Sequence, residues 1–184
     1  MAKNIRRVVT GHDKNGKAVI VMDGAAPNAR VRRATGLVST LLWVTDTTPA
    51  ELSDRDNADR EIGITPPLGG SILRILEIPP ESGRGAAENS AIVEEMRRQQ
   101  ASGDASGIQR NPDHRHHGMH RTESVDYALI LEGEIVMLLD DSETPLKAGD
   151  VVIMQGTYHA WANRSSKPCM MAFILIGAHV PWKS

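Results

Sequence analysis

From residue 124 onward the chain is cut into short apolar runs at close intervals, and this rhythm limits the fold more than any other feature. The runs are 125–131 (VDYALIL), 134–139, a short piece near 143–146, 151–155 (VVIMQ), 158–163 (YHAWAN) and 169–177 (CMMAFILIG). They are separated by Glu132-Gly133, Asp140-Asp141, Ala148-Gly149-Asp150, Gly156-Thr157 and Ser165-Ser166. The runs are strand-length, and the breaks are too short to hold crossover helices. The pattern predicts an antiparallel all-β barrel or sandwich rather than alternating strands and helices.

The first half reads as β as well. Residues 5–10 (IRRVVT) and 17–23 (KAVIVMD) flank Asn15-Gly16, a hairpin-turn signal. A longer strand is expected over 36–46, rich in β-branched and aromatic residues, and irregular chain over 47–70. Residues 71–78 (SILRILEI) form a buried-strand candidate stopped by Pro79-Pro80. One helix is expected, over 88–103. Asn89 or Ser90 can cap it, acids come early, arginines come late, and Gly103 lies beyond its end. Its few apolar residues (Ile92, Val93, Met96) make it peripheral. A polar loop covers 103–119.

Composition narrows the partners. The 184 residues carry a formal charge of −2, which argues against a nucleic-acid or anionic-membrane partner. The arginine pairs Arg6-Arg7, Arg32-Arg33 and Arg97-Arg98 read as solvated surface. The single cysteine, Cys169, allows no intrachain disulfide and fits a reducing compartment. No segment approaches the ~20 apolar residues that cross a bilayer, and the N-terminus has no apolar signal core. The expectation is a cytoplasmic protein with no membrane partner.

The chemistry gathers in DHRHHGMHRTESVDYALILEGE, which holds four of the seven histidines between His114 and His120. A three-ligand metal site needs histidine nitrogens and a carboxylate converging from separate strands. Side chains at even offsets along a strand share a face. YHAWAN therefore groups His159, Trp161 and Asn163 on one face and Tyr158, Ala160 and Ala162 on the other. VDYALIL groups Asp126, Ala128 and Ile130. An aspartate in an apolar strand is costly unless it is paired, hydrogen-bonded or bound to metal.

These residues resemble the two motifs of the cupin superfamily. The family's second motif, G-x5-P-x-G-x2-H-x3-N, is matched by GDVVIMQGTYHAWAN at 149–163, one residue shorter and without the proline. The first, G-x5-H-x-H-x3–4-E-x6-G, is anchored at Asp126-x6-Gly133. Counting back, His120 matches the first histidine and Thr122 stands where the second would be. Asp126 replaces the ligand glutamate. The spacing from Gly133 to Gly149 is also that of the family.

The resemblance implies a single domain, 1–184, built as a double-stranded β-helix (cupin or jelly-roll) barrel. The barrel core covers about 66–178, with extra N-terminal strands over 1–65 extending its sheets and one peripheral helix. It implies a divalent metal held by His120, Asp126 and His159. Iron(II) or zinc suits this set best, and manganese or nickel could also occupy it. The implied function is a metal-dependent enzyme acting on a small carbonyl, carboxylate or aromatic/polyketide-like substrate. Dioxygenase, decarboxylase, isomerase and dehydratase chemistry all remain open, and a non-catalytic small-molecule binder is the alternative. The implied assembly is a homodimer.

The other candidates carry weaker expectations. His114, His116 and His117 read as loop residues ahead of the strand, although a loop histidine could supply a fourth ligand or an acid–base group. Arg74 reads first as paired with an acid such as Glu77 or Asp126, and second as a clamp for a substrate carboxylate. Trp161 either lines the pocket or joins the core. Tyr127 and Tyr158 fall on the face opposite the ligands. No nucleophilic role is expected of Cys169, and His12 and His179 should be at the surface.

Overall fold

The computed structural model describes residues 3–81, 90, 92–94, 98, 108–110 and 115–179. The N-terminal strands are β1 (Arg6–His12), β2 (Ala18–Ala25), β3 (Ala29–Val31), β4 (Val38–Thr45) and β5 (Ser71–Ile78). After the loop come β6 (Ile108–Gln109), β7 (Arg121–Thr122), β8 (Ser124–Glu132) and β9 (Glu134–Leu138). The last four are β10 (Glu143–Lys147), β11 (Val151–Gln155), β12 (Ala160–Ala162) and β13 (Cys169–Gly177). All pairings are antiparallel. The main sheet has the order β11-β8-β13-β5-β4-β3, and a three-stranded sheet has the order β10-β9-β12. Of the helix expected over 88–103, Ser90, Ile92, Val93, Glu94 and Arg98 are helical, and the rest lies outside the described residues.

The alternation in the sequence becomes the inside and outside of the main sheet. On β8, Ser124, Asp126, Ala128 and Ile130 are buried and the residues between them are not. On β13, Cys169, Met171, Phe173 and Leu175 are buried in the same way. Register lines these residues up across the strands: Asp126 beside Leu175, and Ala128 beside Phe173, which in turn sits beside Arg74. Opposite residues in an antiparallel sheet share a face, so Arg74 and Asp126 point to the same side. Ile135 of β9 joins Ala128, Ile130, Met171 and Phe173 in one apolar cluster, which holds the smaller sheet against the larger.

The two glycines that anchor the family spacing are conformational requirements. Gly133 turns the chain between β8 and β9 with φ +79°, and Gly149 turns it into β11 with φ +95°. Both values lie where side-chain-bearing residues are strained. At Gly133 an added Cβ would also sit 2.9 Å from the Pro168 carbonyl oxygen.

The N-terminal expectation needs correction. β3 and β4 do extend the main sheet, but β1 and β2 pair only with each other, as a separate hairpin. Arg7 fastens that hairpin through Asp56 and the Leu42 carbonyl, a side-chain attachment that strand patterning cannot show. Strands β3, β6 and β7 span three residues or fewer, and no periodicity marks them. No described helix is long and apolar enough to cross a membrane.

Candidate metal and substrate cavity

A cavity of about 200 Å³ opens on the inner face of the main sheet. His120, Thr122, Asp126 and His159 line it, as do Arg74, Trp161 and Phe173. His120 and His159 form an isolated antiparallel bridge, each N–H donating to the other's carbonyl at 3.0 Å. That pairing puts the two rings side by side, with centroids 4.7 Å apart. Trp161 follows two residues later on the same face and meets the His159 ring edge-on. Ala160 and Ala162 turn the other way, into a small cluster with Met119, Leu138 and Tyr158. Trp161 also contacts Phe173, so it serves both as cavity wall and as core.

The hydrogen bonds decide the tautomers. His120 Nδ1 lies 2.8 Å from the Gly118 carbonyl oxygen, and His159 Nδ1 lies 3.0 Å from the Thr157 carbonyl oxygen. A carbonyl only accepts, so both Nδ1 atoms carry the hydrogen and both Nε2 atoms keep a lone pair. Metal-ligating histidines are typically oriented in this way. Burial, followed by the nearby His159, pulls His120 down to about 3, and burial lowers His159 as well. Both imidazoles are therefore neutral near pH 7.

Asp126 complements them. Its Oδ2 accepts one long bond, 3.4 Å, from the Thr122 hydroxyl, which itself accepts from Ser124 at 2.8 Å. Its Oδ1 is buried with no hydrogen-bond partner. Burial pushes the carboxyl up to about 6, partly offset by the Ser124 and Thr122 hydroxyls. Thr122 thus supports the carboxylate from the position where the family motif has a histidine. A buried carboxylate with a bare oxygen, lining the same cavity as two imidazole lone pairs, is a donor set that suits a divalent cation.

The loop histidines divide. His114 lies outside the described residues. His116 and His117 sit in the turn before His120, as a loop reading expects, yet both line the cavity. Among the described residues, the one group of three with ligand atoms all within 4.8 Å of one another is Glu81, His116 and His117. His120, Asp126 and His159 are not drawn that tightly together; an aspartate reaches one methylene less far than the family's glutamate.

The Glu81 group has opposite hydrogen bonding. The Gly118 N–H donates to His116 Nδ1 at 3.0 Å, so Nε2 carries the hydrogen and donates to Glu81 Oε1 at 3.2 Å. For Nε2 to bind a metal, that hydrogen would have to move to Nδ1, where it would face the Gly118 N–H. Losing that bond and opposing two donors costs roughly 1–3 kcal/mol. Compactness alone does not make this group a metal centre.

Two expectations are revised here. No acid among the described residues pairs with Arg74. Its Nη2 donates to the Gly63 carbonyl and its Nε is buried without a partner. The register explains this, because Glu77 is an odd offset away on the other face and Asp126 is two strands distant. Asn163, which closes the second motif, is not at the cavity. It is fully buried, donates to the Ile78 and Lys167 carbonyls, and accepts from Ser165, tying the end of β5 to the turn after β12.

Cys169 is buried and pushed up to about 11, so it is an inert thiol, and His12 and His179 are exposed. Sequence reasoning missed Glu81, Arg110 and Ile64 as cavity residues. They lie in irregular segments, where no periodicity assigns a face. The one signal for Glu81 is its place just after Pro79-Pro80, at the end of the strand that carries Arg74.

Comparison with known proteins agrees with this architecture. The cupin-domain family model matches residues 103–176. The phomopsin biosynthesis cluster protein C′ of Diaporthe leptostromiformis is 31% identical over 168 residues, 86% of this chain and 70% of that protein. The cupin-domain-containing oxidoreductase fogC of Aspergillus ruber is 24% identical over 177 residues, 92% of this chain and 71% of that protein. Its counterpart virC of Hypocrea virens is 23% identical over 185 residues, 95% and 78%. The motifs, the antiparallel sheets that carry them and these relatives agree: the chain belongs to the cupin superfamily.

Proposed function

We propose that this protein is a metal-dependent cupin enzyme acting on a small organic substrate, with His120, Asp126 and His159 as the metal ligands. One observation carries the reading. Two Nε2 lone pairs and a bare carboxylate oxygen meet at the same cavity, each left over after the rest of its group is hydrogen-bonded. Iron(II) or zinc suits this set best, with manganese or nickel as alternatives. The oxidoreductase names of the fogC and virC relatives favour a redox reaction, and hence iron. When bound, such a metal supplies Lewis acidity and, as iron, reactivity toward dioxygen.

The chain's own residues prepare the site. The Gly118 and Thr157 carbonyls hold the two rings in the ligating tautomer. Thr122 and Ser124 keep Asp126 aimed inward. Trp161 and Phe173 give the substrate an apolar wall that excludes water. His116 holds a proton at Nε2, shared with Glu81, on that same wall, where it can serve as an acid–base group.

The assembly is read as a cytoplasmic homodimer. Val151 and Ile153 are 59% and 61% exposed on β11, the edge strand of the main sheet. A second copy covering this edge would remove an unpaired apolar strand from water. Light scattering on wild type and Ile153→Glu tests it, with a wild-type monomer as the contrary result.

Elemental analysis of protein purified without chelator tests the central reading. About one metal per wild-type chain, lost in His120→Ala and in His159→Ala, is expected. The same trace of metal in all three would contradict it. Metal and ligand-induced thermal shifts without turnover would make the protein a non-catalytic binder.

A further inference from the structure

The cavity has a second polar feature besides the proposed ligands, centred on Arg74. Arg74 is 7% exposed, reaches the cavity from the middle of β5, and leaves Nε without a partner. Its Nη2 is fixed by the Gly63 carbonyl, so the guanidinium is held by one corner while another donor stays free. Arg110 Nη1 is also buried without a partner, and Arg32 lines the same cavity. Among the described residues, three arginines therefore face two acids, Glu81 and Asp126, and Glu81 already accepts from His116. Burial pulls Arg74 down to about 10, with no neighbouring acid among the described residues to oppose it. A buried, uncompensated guanidinium is costly, and an anion that neutralises it recovers that cost.

We infer that Arg74 binds the carboxylate of the substrate, and that the substrate is a small carboxylic acid with a flat apolar body. The register sets the reach. Arg74 lies beside Phe173 on β13, and Phe173 beside Ala128 on β8, two residues from Asp126. Two strand spacings and a two-residue rise separate the α-carbons of Arg74 and Asp126 by about 12 Å. Both side chains rise from the same face of the sheet, and the span between them suits one small molecule. Phe173 and Trp161 meet edge to face, with ring centroids 5.7 Å apart, and form the apolar surface between the two charged ends. The acid group sits on Arg74, the body lies on the aromatics, and the far end reaches His120, Asp126 and His159.

This inference rests on the cavity being the substrate site proposed above, but it does not need the metal to be present. Its test therefore uses full-length protein stripped with chelator, so that a carboxylate cannot gain affinity by ligating metal. Calorimetric titration compares phenylacetate with neutral phenylacetamide, on wild type, Arg74→Lys and Arg74→Met, with circular dichroism to check folding. Wild type should bind the acid at least ~10-fold more tightly than the amide, the worth of a charge-assisted hydrogen bond. Arg74→Met should lose that preference, and Arg74→Lys should keep only part of it. Equal binding of acid and amide by wild type, or no saturable binding of the acid, would overturn the inference even if Arg74→Met fails to fold. So would an acid preference unchanged in folded Arg74→Met. Failure of the metal reading would show separately, as wild-type protein that carries no metal when purified without chelator and yet prefers the acid in this titration.

Discussion

Two histidine groups face the same cavity and differ in one respect. His120 and His159 each give their Nδ1 hydrogen to a backbone carbonyl, while His116 takes a backbone N–H at Nδ1. The first arrangement leaves Nε2 as a lone pair, and the second leaves it as a donor already committed to Glu81. Gly118 supplies both signals, with its carbonyl to His120 and its N–H to His116. On the proposed reading, the tighter cluster, Glu81 with His116 and His117, is the poorer ligand set, because His116 Nε2 is already a donor. What the far nitrogen of a histidine meets outweighs how closely the side chains crowd.

The largest expected effect breaks the comparison at its strongest point. His120→Ala and His159→Ala should each weaken metal binding by ~100-fold or more, measured by chelator competition, because an outer partner of a ligand alone is worth 10–100-fold. Comparable loss in His116→Ala would reverse the assignment.

Asp126→Asn should weaken metal binding by about 10-fold or more and, unlike the histidine variants, stabilise the metal-free chain. The folded carboxyl sits at about 6 against an ordinary value of 3.8, so the folded state holds its proton more tightly than the unfolded state. Its contribution to stability therefore falls as pH rises from about 4 to 6 and stays low above that. His120, lowered to about 3, acts in the opposite sense and adds stability as pH rises from about 3 to 6.5. Removing the charge at Asp126 should gain roughly 2 kcal/mol near pH 7.5 in urea denaturation of chelated protein. A loss of stability there would mean that the carboxylate is a structural partner.

Smaller effects sharpen the picture. Thr122→Val removes one of the two hydroxyls that support the Asp126 carboxylate. It should raise the pH needed for half-maximal metal retention by a few tenths of a unit, because a hydrogen bond to the charged form favours it. No shift would make Thr122 a packing residue. The smallest change is expected of His116→Gln, with metal affinity within about threefold of wild type. If a substrate turns over, its rate should fall while metal content holds, which separates proton handling from ligation.

Much of this site was legible before any coordinates. Strand parity put Asp126 beside Ala128 and Ile130, and His159 beside Trp161, because a period of two survives folding unchanged. The resemblance to the family's first motif, anchored at Gly133, pointed to His120, and Gly133 and Gly149 do occupy backbone conformations that few other residues tolerate. Parity failed at Asn163, where the chain leaves β12 and the side chain serves the turn. It gave no answer for Glu81, Arg110 or the β1–β2 hairpin, whose positions depend on side-chain contacts across distant segments. The tautomers were beyond reach for the same reason, since each depends on one carbonyl or N–H brought close by the turn at Gly118 or Thr157. Arg74 was misjudged because opposite charge suggested a partner that sheet register kept two strands away.

The most direct measurement is an anomalous-scattering map from crystals of the wild-type protein soaked in iron(II) or manganese. One peak is expected within about 2.0–2.4 Å of His120 Nε2 and His159 Nε2, with an Asp126 oxygen completing the set. A peak bound by Glu81 and His116 Nε2, or no peak at saturating metal, would contradict this assignment.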